Sequence, residues 1–218
     1  MPVDAYQRVK GETSVLIVRW AGNPLDGLKR LTAEGDVANL PATEIDRLEN
    51  PILKPTGWEY LWFLGPSDSY TTSPNPKGGQ TIGCRTHHDT AILQRDVSCE
   101  FAPDTALRWI WKVDTLPSPQ SEDSALTHDY LSIAVEFDNG QDLTYYWSVN
   151  LPPETAFRCP LPNWQARETH LVVRSGQEGL GQWLEEERNL YTDYQRAIGE
   201  PPAGSSGSGL LLSACSNV

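Results

Sequence analysis

Residues 106–114 (ALRWIWKVD), 129–138 (DYLSIAVEFD) and 142–149 (DLTYYWSV) decide the fold class. Each run alternates apolar residues with others, the period of two that marks a strand with unlike faces. Trp109, Trp111 and Val113 share one face of the first run, against Arg108, Ile110 and Lys112. In the second, Leu131, Ile133, Val135 and Phe137 oppose Tyr130, Ser132, Ala134 and Glu136. In the third, Tyr145, Trp147 and Val149 oppose Thr144, Tyr146 and Ser148. Between the last two runs, Asp138-Asn139-Gly140-Gln141 carries Asn-Gly, the strongest short hairpin signal. The three runs together predict a meander with one apolar face and one mixed face.

Working outward, further strands are predicted at Glu12–Trp20, Trp58–Leu64, Gln80–Thr86, Thr90–Phe101, Thr169–Arg174 and Leu210–Ala214. Leu25–Leu31 reads as a helical turn and Ala42–Leu48 as a short helix with early acids. Ser67–Gly79 and Pro117–Ser124 are polar loops, and Leu151–Trp164, with its prolines, is expected to be irregular. Gly179–Ile198 reads as a long amphipathic helix. Leu180, Trp183, Leu184, Leu190, Tyr191, Tyr194 and Ile198 recur there at three-and-four spacing, and Gly199 and Pro201 end it. Ala203–Gly209 is a flexible link. The apolar strand after it would be left exposed unless it pairs with the sheet, so pairing is predicted. The expected fold is mainly β: an antiparallel β-sandwich or jelly roll over residues 1–218 as a single domain, with one long C-terminal amphipathic helix packed beside it.

Composition narrows the function. The 218 residues are 39% hydrophobic and 21% charged, with a formal net charge of −12. That charge, with no Lys/Arg cluster, argues against a nucleic-acid or anionic-membrane partner. Met1–Lys10 lacks a signal-peptide pattern and Val15–Val18 is too short to span a bilayer, so a cytoplasmic protein is expected. Cys84, Cys99, Cys159 and Cys215 form no CxxC pair and have no His at zinc-finger spacing, so thiols are expected and no metal site. Serine-hydrolase, phosphate-loop, dinucleotide and zincin motifs are absent, and no cofactor is predicted. The acids are compatible with a structural calcium, but no ligand spacing marks one.

In the second half, LRWIWKVDTLP, HDY-LSIAVEF, TYYWS, THLVVRSG and QWLEEERNLYTDYQRAIGEPP follow one another, with a terminal apolar strand. This ordered series resembles a family of bacterial proteins known as "domain of unknown function 3047", from roughly Leu107 to the C-terminus. The chain has His128-Asp129 where family members carry paired acids, and Leu210–Asn217 is less acidic than their last strand. The resemblance implies a jelly-roll-like sandwich and no particular reaction.

Two clusters hold the candidate site residues. In Arg85-Thr86-His87-His88-Asp89, His87 is a candidate general base; the ordinary alternative is a polar turn. The other runs from His128-Asp129-Tyr130 to Glu136. Its mixed face has small residues between larger polar ones, a hollow in which a desolvated Glu136 would donate a proton. The ordinary alternative is a cross-strand ion pair of Glu136 with Arg108 or Lys112. Glu136, Asp129 and His87 are thus the catalytic candidates. Tyr130, Tyr146, Tyr145, Trp62 and Arg108 are the substrate-binding ones. The expected function is a cofactor-independent cyclase, isomerase or lyase acting on a hydrophobic small-molecule metabolite. The alternative is a non-catalytic carbohydrate- or ligand-binding module. The oligomeric state is left open, a homodimer included.

Overall fold

The structure, a computed structural model, describes residues 19–33, 40–61, 65–75, 78–86, 90–124, 131–201 and 206–215. Its helices are α1 (Pro24–Ala33), α2 (Leu40–Glu49) and α3 (Leu190–Ala197). Strands β1 (Glu59–Tyr60), β2 (Tyr70–Pro74), β3 (Gln80–Cys84), β4 (Thr90–Glu100) and β5 (Ala106–Trp111) precede the hairpin of β6 (Leu131–Phe137) and β7 (Asp142–Ser148). After it come β8 (Ala156–Arg158), β9 (Glu168–Ser175), β10 (Leu184–Asn189) and, last, β11 (Ser206–Cys215). The chain divides into two compact units, Met1–Leu53 and Lys54–Val218. In the first, Asn23 Oδ1 accepts the Leu25 N–H at 3.0 Å and so caps α1. Lys29 Nζ joins α1 to Glu49 of α2 at 2.7 Å.

The second unit is built on a seven-stranded sheet in the order β1-β4-β11-β6-β7-β9-β8. Its centre is the expected hairpin. Gly140 takes φ +77, a conformation that side chains resist, and the Phe137 N–H donates to Gln141 O at 2.9 Å. Ile133 then falls opposite Tyr145 and Val135 opposite Leu143. The terminal strand does pair with the sheet, and it pairs on both sides. Leu212 stands opposite Leu93 of β4 and Ile133 of β6, both antiparallel. β7 and β9 run parallel, with Tyr145 opposite Leu171. The sheet is therefore mixed rather than purely antiparallel.

Three expectations need correction. The meander has two strands, since β5 leaves the hairpin and pairs antiparallel with β10, Trp111 opposite Leu184 and Trp109 opposite Glu186. The long helix is short: α3 begins only at Leu190, and Leu184–Asn189 is a strand whose exposure alternates residue by residue. Gly179 marks the reason. It has φ +86, and a Cβ there would lie 2.9 Å from Leu184 Cδ1, so the chain turns sharply instead of starting a helix. Trp183, expected on the buried helical face, is 59% exposed. Finally, Ser67–Gly79 is not all loop, because β2 pairs with β3, Thr72 opposite Ile82. The protein is mainly β, with three short helices among the described residues.

The β5–β10 ribbon lies on the sheet face that carries Leu143, Tyr145 and Trp147. Trp109 packs on Tyr145 and Trp111 on Trp147, at ring-centroid distances of 5.4 and 5.7 Å. The Trp109/Trp111 face is therefore core, as its alternation suggested. Phe101, Val135, Phe137, Leu143, Tyr145 and Leu171 continue this core beneath Leu190 and Tyr194 of α3. Among the described residues no helix is long and apolar enough to cross a membrane.

Candidate functional site

The opposite face of the same strands is polar and, over β7 and β9, buried. Register places Glu136, Asp142 and Glu168 in one row across β6, β7 and β9. The next row is Ala134, Thr144, His170 and, from β8, Phe157. The third is Ser132, Tyr146 and Val172. Beyond β8 the Cys159 N–H donates to Glu168 O at 3.0 Å, which brings Cys159 beside the first row. Thus a period of two on each strand assembles carboxyls, a hydroxyl, an imidazole and a thiol on one surface.

One acid of the row is open to solvent and two are buried. The Glu136 side chain is 40% exposed, that of Asp142 5% and that of Glu168 11%. Arg167 sits over the open end. Its Nη2 lies 3.2 Å from Glu136 Oε1 and its Nε 3.4 Å from Asp142 Oδ2. The Trp164 ring supports that guanidinium at 5.1 Å. At the closed end, His170 Nε2 lies 3.2 Å from Glu168 Oε1, and Thr144 Oγ1 lies 3.4 Å from the same oxygen.

Burial pushes the Asp142 carboxyl up to about 7. Arg167 opposes this, while the charges of Glu136 and Glu168 add to it. Burial likewise raises the Cys159 thiol, helped by the Glu168 carboxylate. It also raises the Tyr146 phenol, with Glu122 and Asp123 contributing.

Of the residues expected to form the site, Glu136 and Tyr146 lie on this face. The ordinary ion-pair alternative for Glu136 holds in kind but not in partner: Arg167 takes it, while Arg108 pairs with Glu187 at 2.9 Å and Lys112 with Asp114 at 3.0 Å. Tyr145 is not on this face. It points to the other face, where its hydroxyl donates to Asp193 Oδ2 at 3.0 Å. Arg108 also lies elsewhere, on the exposed side of the ribbon. There it lines a groove of about 380 Å³ with Trp109, Ile110 and Glu185–Glu187. Asp129, His87, Tyr130 and Trp62 lie outside the described residues.

The sequence reading missed Asp142, Cys159, Arg167, Glu168 and His170. One signal was present. Glu168 and His170 are two apart, so a strand that includes both aims them at the same face.

Residues 56–212 match the family described as protein of unknown function, DUF3047. The chain belongs to that family. The match begins well before Leu107, so DUF3047 takes in β1 to β10 and most of β11, and the whole polar face with them. Helices α1 and α2 precede the DUF3047 region. No curated protein matches this chain.

Proposed function

We propose that this DUF3047 protein is an enzyme that moves a proton on a small-molecule substrate, by chemistry of the isomerase, lyase or cyclase kind. The observation that carries the reading is the row Glu136–Asp142–Glu168, three carboxyls side by side across three strands, with Arg167 bridging Glu136 and Asp142. Two acids sharing one guanidinium, with a third in register beside them, favour holding a proton among them, and neighbouring carboxyls in different states are the usual material of acid–base catalysis. The row runs from a solvent-reached end at Glu136 to the buried carboxyls of Asp142 and Glu168, a route for a proton between solvent and interior. Substrate would meet the row at the Glu136 and Arg167 end, where the guanidinium would orient an anionic or carbonyl group.

In this reading the β5–β10 ribbon is the second layer of a sandwich. Its Trp109 and Trp111 make the support that holds β7, and with it Asp142, in place. The thiols Cys84, Cys99 and Cys159, outside any disulfide, fit a reducing cytoplasm.

The test is open to any small-molecule substrate. A panel of small metabolites is incubated with the protein in heavy water, and deuterium uptake is followed by mass spectrometry. Uptake into one member is expected, falling about 100-fold in Glu136→Gln and in Asp142→Asn. Equal uptake in both variants would overturn the reading. The ribbon groove favours a second reading, a non-catalytic ligand-binding module. Binding lost on Arg108→Ala and Ile110→Ala and kept in Asp142→Asn would select it.

A further inference from the structure

Three donors of different kinds meet at the closed end of the polar face. Glu168 and His170 stand two residues apart on β9. The Cys159 N–H bond to Glu168 O, 3.0 Å long, continues the β8–β9 ladder by one step and places Cys159 opposite Glu168. One atom from each, the Cys159 sulfur, a Glu168 carboxylate oxygen and a His170 ring nitrogen, lies within 4.8 Å of the other two. Cys159 and His170 are 0% exposed and Glu168 9%. Ligand atoms around a tetrahedral zinc ion, at bond lengths of about 2.0–2.3 Å, stand roughly 3.3–3.8 Å apart.

The chemistry of the set points the same way. A thiol and an imidazole are borderline-soft donors that suit zinc-class ions rather than calcium or magnesium. A nucleophilic cysteine is activated by an imidazole or another cationic neighbour. Here a carboxylate stands against both thiol and imidazole, an anionic set that a cation completes. Beside it, Asp142 pairs in register with Glu168 and adds a second buried carboxyl, whose Oδ1 has no hydrogen-bond partner among the described residues. Thr144 Oγ1, 3.4 Å from Glu168 Oε1, orients the ligand carboxylate, as outer partners of metal ligands do.

We propose that Cys159, Glu168 and His170 bind one divalent ion of the zinc class, leaving a fourth position for water. As the sulfur–metal bond forms, the Cys159 S–H bond breaks and its proton leaves to solvent; the ion remains divalent and no electron moves. The absence of zinc-finger spacing in the sequence does not bear on this site, which is an open three-ligand set with a carboxylate rather than a closed Cys/His one. The inference does not rest on the proton-transfer reading, because metal binding is measured without turnover.

The experiment is a titration of the chelator-treated full chain with Co²⁺, followed by displacement with Zn²⁺. One Co²⁺ per chain is expected, with a thiolate-to-cobalt charge-transfer band in the near ultraviolet that Zn²⁺ abolishes. Cys159→Ser removes the band, and both it and His170→Gln weaken Zn²⁺ binding by at least about 100-fold, above the loss that outer partners produce. Should Cys159→Ser fail to fold, a Cys84→Ser/Cys99→Ser/Cys215→Ser variant leaves Cys159 as the sole thiol and must keep the band. A missing band in the native chain, or in that triple variant, overturns the site. So does an unchanged band in a folded Cys159→Ser protein.

Discussion

Tyr145 and Tyr146 adjoin in sequence, yet the pleat sends one hydroxyl to each side of the sheet. Tyr145 meets Asp193 Oδ2, which also accepts from Arg188 Nε at 2.8 Å. Because Arg188 keeps the carboxylate satisfied, Tyr145→Phe should cost only about 1 kcal/mol, read as a lower urea midpoint. Arg188 reaches further, to Glu154, with Nη1 2.6 Å from Oε1. Glu154 holds φ +70, rare for a residue with a side chain, and Arg196 Nη1 reaches its second oxygen at 2.5 Å. The hydrogen bond from Arg188 chiefly, with Arg196 adding to it against some burial, lowers the Glu154 carboxyl from its ordinary 4.5 to about 2. Since the folded value lies below the unfolded one, the ionised carboxyl favours the fold above about pH 4.5, and that gain fades as pH falls through about 2. Glu154→Gln should therefore lower the urea midpoint at neutral pH, with the gap to the native chain closing toward pH 2. A gap that stays constant with pH would refute the linkage.

Strand β10 shows how an element can hide. Its Leu184, Glu186 and Arg188 face inward, but two of the three are charged and so break the apolar alternation by which a strand is recognised. Glu186 is held there by the Trp111 indole N–H at 3.0 Å and by Arg174. Those partners are dozens of residues away or on another strand, and no local pattern reports them. Glu and Arg are also good helix formers, so the three-and-four spacing from Leu180 to Ile198 looked continuous across the strand. The β6–β7 hairpin was legible because its turn and its alternation are both local. The polar face was half legible for a related reason. Glu136 and Tyr146 share a period with the hairpin. Cys159 and Glu168, by contrast, meet through a β8–β9 pairing inside a proline-rich stretch, and only long-range register reveals it. Where β10 ends, Asn189 switches the chain into α3, its Oδ1 accepting the Thr192 N–H at 2.7 Å while Nδ2 donates to Pro103 O at 2.9 Å. Asn189→Ala should cost about 1–2 kcal/mol, with Asn189→Ser recovering much of it, both read from thermal melts.

At the scale of the whole second unit, the last strand holds the sheet together. β4 and β6 are neighbours only through β11, which pairs with Glu100 through Thr90 on one side and Phe137 through Leu131 on the other. The sheet thus cannot close until β11 arrives, and this long-range pairing is the slow kind. Without β11, both β4 and β6 present open edges to solvent, and an unpaired buried ladder is costly. Ending the chain at Pro201 should therefore split the sheet into a β6-β7-β9-β8 half and a β1-β4 half. The expected result is loss of near-ultraviolet circular dichroism from the packed tryptophans and loss of a single cooperative urea transition. A synthetic peptide spanning residues 206–215, added in trans, should restore both in proportion to its occupancy, because the gap it fills offers hydrogen-bonding edges on two sides. If the truncated chain keeps a cooperative transition and the native tryptophan signal, β11 is an accessory strand and the β6–β7 hairpin alone organises the core.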